Sequence, residues 1–540
     1  MLVSALTLAA LPGISSAEGG GGSTRRPALA PVGPSDGLSR ALASGDLTEA
    51  EYALERATSL FAPASVARRF GEVTRPDPHL ATIVLRDLAV RLHELSGAAR
   101  ARAIDLMARP DDSEANVYQD GDPEYGNRTI STTCDPDVCV HRVSTDDHPA
   151  YGHAATDAFA GEVLSTMQTV WATEVDAFGY REPKPDTNVL PTTSNGGDAR
   201  FDVYLADLGP QLFGYCFTND AKAATNFSTY DFSTYCVLDN DYSQAEYGYP
   251  DPLDPLQVTA AHEFFHAVQG AYDFLEDAWF MEGTATWMED EVYDDVNDLY
   301  FYLSASPLGN PTVPLDKATG LRVYGTWLWW RFLAESLGEA DVIRDIWNRA
   351  DGSAGAPDRY STQATALELR SRGGSFGRSF ADFAAWNARP QAFYEEGSAY
   401  DPATTQLSRT ISGSNRSFTS TATLDHMSSR YVVVNRGGGV QGDAKLRVSL
   451  DGPSGKTDPQ GRIVLVKDGG NIRIVRMRLN AEGRDRRSVA FGSDVLRAIV
   501  ITSNASTRFT RCWQGNGTWS CWGTPVDEDE SFRVTVSLVQ

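Results

Sequence analysis

The chain of 540 residues is 41% apolar and 22% charged, near globular averages, which excludes wholesale disorder and a membrane-embedded body. It is long enough for about two to four domains. Its 47 Lys and Arg against 72 Asp and Glu give a net charge of −25, so phosphate backbones and anionic membranes repel it and nucleic acid is not an expected partner.

Residues 1–17, MLVSALTLAALPGISSA, join an apolar stretch to small residues ending at Ala17, the pattern of a cleaved secretory signal that lacks its basic leading region. The expected product is secreted and extracellular. No later segment offers about 18 uninterrupted apolar residues, so no membrane span is expected. From Asp36 to Pro110, apolar residues recur at three- and four-residue spacing between Pro and Gly, which predicts a helical N-terminal region spanning 18–110. Residues 24–110 hold 12 Arg and 10 acidic residues ahead of a strongly acidic body, which makes this region a candidate pro-segment.

In 111–403, a strand is predicted at Val138–Val143, a helix over DAFAGEVLSTMQTVWATEVDAFG, strands in RFDVYLADLG and STYCVLDNDYS, and helices from Leu253 to Asn387. In 404–540, RYVVVN, AKLRVSL, GRIVLVK, NIRIVRMRL, LRAIVIT and SFRVTVSLV follow one another at intervals of roughly ten residues, the spacing of an antiparallel β-sandwich. The expected fold class is α+β: a helical region, a mixed central domain and an all-β sandwich.

Six cysteines fall as three close pairs, Cys134 with Cys139, Cys216 with Cys236, and Cys512 with Cys521, which supports export. For the last pair, a type I′ turn at Asn516-Gly517 would set Cys512 opposite Cys521 at a non-hydrogen-bonded position, where Cα atoms about 4.5 Å apart suit a disulfide.

The segment DPLDPLQVTAAHEFFHAVQG carries the chemistry. Asp254 suits a cap, Pro255 the first turn and Gly270 a left-handed end, so a helix of about 15 residues is predicted. His262 and His266 are four apart and share a face, with Glu263 beside them. This His-Glu-x-x-His spacing offers two neutral imidazoles to Zn²⁺ and a carboxylate that can take a proton from water at the metal. A third ligand is required. The metzincin pattern would need Gly at 269 and His at 272, where the chain has Gln269 and Tyr272. The other route is a carboxylate in WFMEGTATWMEDE: Glu282, sixteen residues after His266, opens a predicted helix Trp279–Tyr293, with Glu276, Asp277 and Glu289 as rivals.

HEFFH followed by WFMEGTATWMEDE resembles the gluzincin clan of zinc metallopeptidases. The second block is similar to the Trp-Leu-Asn-Glu-Gly-Phe-Ala block of the aminopeptidase family, with Trp279, Glu282, Gly283 and Ala285 in register. The pair of blocks looks still more like secreted bacterial metalloproteases carrying His-Glu-Phe-Phe-His. That resemblance implies His262, His266 and Glu282 as zinc ligands, Glu263 as general base, and Glu289 as the carboxylate that follows the third ligand by seven. It also implies an oxyanion-stabilising Tyr, for which Tyr324 in RVYGTWLWWRFLAESLG is the candidate, although the family's neighbouring Lys is missing. The aminopeptidases' Gly-x-Met-Glu-Asn motif is absent, so specificity for a free N-terminus is not expected.

His141, His148 and His153 around an Asp-rich loop read as surface polar residues. The acidic run Glu289, Asp290, Glu291, Asp294, Asp295 and Asp298 lacks the Gly turn of a calcium loop and reads as a solvated helix face, leaving Ca²⁺ unsupported. The combined expectation is a metalloendopeptidase with one Zn²⁺, acting on protein or peptide substrates paired with an edge strand at Tyr235–Leu238. Two competing readings are a non-catalytic surface or carbohydrate-binding protein with the same metal shell, and a glycosidase using Glu282 and Glu289. Oligomeric state is open at this level.

Overall fold

A computed structural model describes residues 36–112, 124–126, 128–145, 152–338 and 340–539. The leader at 1–17 and His148 lie outside the described residues. Among the described residues the N-terminal region forms five α-helices: α1 (Gly37–Ser44), α2 (Glu49–Phe61), α3 (Pro63–Phe70), α4 (Ala81–Ala89) and α5 (Gly97–Met107). Asp36 caps α1 through the amides of Leu38 and Ser39, and Thr48 with Glu51 closes a capping box on α2.

The central region contains β1 (Thr129–Cys134), β2 (Val138–Thr145), α6 (Asp157–Trp171), β3 (Phe201–Ala206), β4 (Gly214–Phe217) and β5 (Tyr235–Asp239). A short α7 (Gln244–Tyr247) precedes α8 (Leu253–Tyr272) and α9 (Ala278–Val292). Then come α10 (Arg322–Gly325), α11 (Trp327–Leu337), α12 (Asp341–Ala350), α13 (Ser361–Ser371) and α14 (Phe376–Asn387). The five strands form one sheet in the order β1-β2-β3-β5-β4, parallel through β2, β3 and β5 and antiparallel at both edges.

This order corrects the expected substrate edge. Tyr235–Leu238 lies in β5, an interior strand; the edge nearest α8 is β4, a four-residue strand beginning with Gly and too short to be legible in the sequence. Cys236 sits directly opposite Cys216, so their disulfide ties β5 to the edge strand.

Because side chains alternate across a strand, the sheet has two apolar faces. Val203, Leu205 and Leu238 pack with α6 and α8, while Tyr204, Tyr215, Phe217, Tyr235 and Val237 pack with the N-terminal helices through Leu54, Leu85 and Met107. The N-terminal region and the sheet therefore share one core, with buried Arg109 paired to Asp186 and Asp202 from the same layer.

The C-terminal strands are β6 (Leu407–Ile411), β7 (Ser417–Leu424), β8 (Ser428–Arg436), β9 (Lys445–Asp451), β10 (Pro459–Lys467), β11 (Ile472–Arg476), β12 (Arg484–Ala490) and β13 (Val495–Asn504). They continue with β14 (Phe509–Thr510), β15 (Thr524–Pro525) and β16 (Glu530–Val539). Two sheets, β11-β10-β13-β8-β6 and β12-β9-β16-β7, enclose a Val, Leu and Ile core. One departure from the expected antiparallel pattern is β6, which runs parallel to β8. The outer face of the five-stranded sheet is buried against α14, where Tyr431 donates to the Ala384 carbonyl at 2.9 Å and Arg462 pairs with Asp382 at 2.7 Å.

All three expected disulfides are present. The Asn516-Gly517 hairpin is not: the flanking strands pair Phe509 with Pro525 and Thr510 with Thr524, and Cys512 and Cys521 close a turn-rich loop instead. That loop is shaped by its contacts to α9, since the Cys521 amide donates to Asp277 Oδ2 at 3.0 Å and Trp279 Nε1 donates to Ser520 Oγ at 3.1 Å.

Candidate metal centre

The helix α8 runs past Gly270 to Tyr272, longer than expected, because the segment after Gly270 stays helical while the Gly270 carbonyl accepts from the Phe232 amide at 2.8 Å. A Cβ at 270 would meet the Phe232 carbonyl oxygen at 3.3 Å, so the missing side chain serves close packing rather than a helix stop. Phe264 and Phe265 point into the core against Trp171, Phe201 and Tyr180. The opposite face presents His262 and His266, both buried.

Helix α9 delivers Glu282 to the same point. Its approach to α10 and α11 depends on Gly283, where a Cβ would overlap Thr326 Oγ1 and meet Trp330 Nε1 at 2.8 Å. One ligand atom each from His262, His266 and Glu282 lies within 4.8 Å of the others. Glu282 Oε2 is 3.3 Å from His262 Nε2 and 3.5 Å from His266 Nε2. The other ring nitrogens are turned away: His262 Nδ1 is 2.6 Å from Glu289 Oε1, and His266 Nδ1 is 2.8 Å from Gln269 Oε1. Those acceptors suit an Nδ1–H on each ring and aim both Nε2 atoms at Glu282. Glu282 Oε1 is buried without a hydrogen-bond partner among the described residues. Two imidazoles, one carboxylate and an unsatisfied buried oxygen fit a divalent ion with an open coordination position, the donor chemistry of zinc.

Without an ion the three groups share a proton instead: burial would raise the Glu282 carboxyl, but His266 and His262 outweigh it and hold it at about 2, while burial would lower His262 and Glu282 with Glu289 raise it well above the usual imidazole range, so a cation bound there would take that proton's place. Burial pushes Glu263 above the usual carboxylate range and raises Glu289 to about 7.

Glu263 and Tyr324 both face a cleft of about 270 Å³ that also has His79, Phe213, Tyr302 and exposed Phe301 in its wall. The Tyr324 ring is 5.9 Å from that of His262 and stacks on Tyr302. The N-terminal region supplies one wall: Tyr324 donates to the His79 carbonyl, and Thr82 Oγ1 donates to Glu263 Oε2 at 3.2 Å while accepting from the Cys216 amide of β4 at 2.9 Å. Thr82 and Gln269 were not singled out in the sequence. Gln269 is three residues after His266 on its helix, a spacing that signals contact, whereas Thr82 carries no local signal.

The rival third ligands are used elsewhere. Glu276 Oε2 accepts the amides of Asp277 and Ser361, and Asp277 holds the C-terminal loop. His141 and His153 are buried rather than surface residues: His141 Nε2 meets Asp202 at 2.8 Å, and His153 Nδ1 accepts the Asp207 amide. The acidic run is only partly a solvated face. Glu289 and Asp290 are buried, Asp290 against Arg331, while Asp294 and Asp295 are exposed. No helix among the described residues is long and apolar enough to cross a membrane.

No family model matches the chain and no curated protein matches it. Three solved structures align with it, each at a low TM-score. The pre-peptidase C-terminal domain of a collagenase from Bacillus anthracis is 10% identical, with 26% of this chain and 100% of that one covered, at a TM-score of 0.15. CorA, a surface-associated copper-binding protein of Methylomicrobium album BG8, is 12% identical over 25% of this chain and 100% of its own, at 0.16. The GH115 4-O-methyl-alpha-glucuronidase BtGH115A is 8% identical over 68% and 54%, at 0.13. What the chain itself presents is an α+β protein with three disulfides and a buried His/Glu group able to hold a metal ion.

Proposed function

We propose that the protein is a secreted, zinc-dependent endopeptidase of the gluzincin type, with its central region as a zincin-like catalytic domain. The observation that carries this reading is the convergence of His262, His266 and Glu282 on one point, with Glu263 beside it in an open cleft. An ion held by those three residues supplies Lewis acidity toward a carbonyl and toward water. Glu263 takes the proton released as a water oxygen bonds to the scissile carbonyl carbon. It then returns that proton to the departing amine nitrogen as the C–N bond breaks. The Tyr324 hydroxyl donates to the carbonyl oxygen as that oxygen gains charge, having exchanged its bond to His79 for one to substrate. Glu289 keeps His262 in the tautomer that presents Nε2.

Secretion rests on the apolar leader and on three disulfides, which persist in oxidising compartments. The shared core of the N-terminal helices and the sheet favours a retained layer over a discarded pro-segment. The deciding assay is hydrolysis of unfolded casein by zinc-loaded protein, with and without a chelator. Loss of cleavage in Glu263→Gln, with zinc content retained, is expected; equal behaviour of Glu263→Gln and the parent would overturn the catalytic reading and leave the surface-binding one.

A further inference from the structure

The charge of the chain is strongly divided. Residues 404–540 hold 19 Lys and Arg against 12 Asp and Glu, a net of +7 within a chain of net −25. Much of this excess lies on one surface. In the four-stranded sheet, the inward residues of β9 and β16, such as Leu446, Val448, Val534 and Val536, form the core, so their alternate neighbours face solvent. The outward set includes Lys445, Arg447, Arg484, Arg486 and Arg533, all exposed. Within these four strands, the sole acid on that face is Asp451, held by Arg484 at 2.7 Å.

The register fixes how the cations are arranged. Arg486 is level with Ser449 and Thr535, Arg447 with Ser488 and Ser537, and Arg533 with Asp451 and Thr421. Guanidinium groups thus alternate with hydroxyl groups over a sheet face whose strands are about 4.8 Å apart. The companion sheet turns its outer face to α14, so the four-stranded face is the one directed away from the catalytic region.

We propose that this face is a docking surface for a carboxylated polysaccharide. Arginine forks match carboxylates, and the intervening Ser and Thr hydroxyls can exchange hydrogen bonds with sugar hydroxyls. The outward positions of the four strands hold no aromatic residue, so there is no platform for stacking nucleobases and no apolar anchor for a protein partner. Solubility does not explain it, because a basic face lowers the net charge of a chain already far on the acidic side. This proposal is independent of the peptidase reading.

The test uses the full chain and polygalacturonate as the probe, with neutral dextran and duplex DNA as comparators. Polygalacturonate binding is expected to weaken by at least about tenfold in the triple variant Arg447→Ser, Arg486→Ser, Arg533→Ser and on raising NaCl from low to high ionic strength. The double variant Arg473→Ser, Arg476→Ser, on exposed positions of β11, should bind as the parent does. Because all five positions are exposed, a thermal scan should show each variant folded. The proposal is overturned if the parent does not bind polygalacturonate, if dextran or DNA binds equally well, or if the β11 variant loses binding while the triple variant keeps it.

Discussion

Thr82 and Glu263 stand 181 residues apart in the chain and 3.2 Å apart in the fold, hydroxyl to carboxylate. The same Thr82 oxygen accepts the Cys216 amide, so one side chain links the N-terminal helices, the edge strand and the residue proposed as general base. A buried carboxylate with a single hydroxyl donor depends on that donor for orientation. Thr82→Val should therefore lower kcat about fivefold, the equivalent of one neutral hydrogen bond, with KM nearly unchanged, while Thr82→Ser keeps most of the rate. Steady-state kinetics on a quenched peptide decide it; a Val variant with parental kcat would show that Glu263 is positioned without Thr82.

A second relationship concerns the proposed metal ligands. Glu289 Oε1 holds His262 Nδ1 at 2.6 Å, and both groups are buried. Glu289→Gln preserves volume but removes the charge that favours the imidazole tautomer with Nε2 free. Zinc affinity should fall about 10- to 100-fold, read by competition with a chromogenic chelator. Unchanged affinity would mean that His262 is oriented by helix packing alone.

The N-terminal layer makes a third prediction. Without residues 36–110, the sheet face carrying Tyr204, Tyr215, Phe217, Tyr235 and Val237 would lose its apolar cover. A chain beginning near residue 111 is expected to aggregate, since a contiguous apolar patch of that kind is unstable in water. Size-exclusion chromatography of the truncated protein settles the matter, and a monomeric, active product would establish a removable pro-segment.

Legibility in the sequence follows distance along the chain. His262, Glu263 and His266 were readable because a single helix fixes their geometry, and Glu282 because the next helix follows after a short loop. The long apolar runs of β8, β10 and β13 announced a sandwich, being buried on both faces. By contrast, β7 (SFTSTATL) and β12 (RDRRSVA) face solvent on one side and carry Ser, Thr and Arg there, which masks their alternation. Gly270 looked like a helix end because local propensity cannot register the Phe232 carbonyl packed beside it. The edge strand, the Thr82 contact and the seating of the Cys512–Cys521 loop on α9 all depend on tertiary neighbours.

That last contact leads to a prediction about pH. His426 joins the sandwich to the central region: its Nε2 lies 2.8 Å from Asp316 Oδ1 and its Nδ1 2.5 Å from Glu528 Oε1, with Phe509 and Trp519 against the ring. Asp316 also accepts from the Ser520 hydroxyl and amide, next to the Cys521 amide that binds Asp277 at the start of α9. Burial by itself would lower the imidazole, yet the two carboxylates prevail and raise it from 6.5 to about 10. A group raised on folding stabilises the fold fully below its unfolded value and loses that contribution as pH climbs through the folded one. The advantage of the parent over His426→Gln should therefore be largest at pH 6 or below, on the order of 3 kcal/mol as for a buried ion pair missing one partner, and should shrink steadily toward pH 10. Denaturant unfolding of both proteins across that range measures it. A difference constant from pH 6 to pH 10 would mean that His426 contributes by shape rather than by charge.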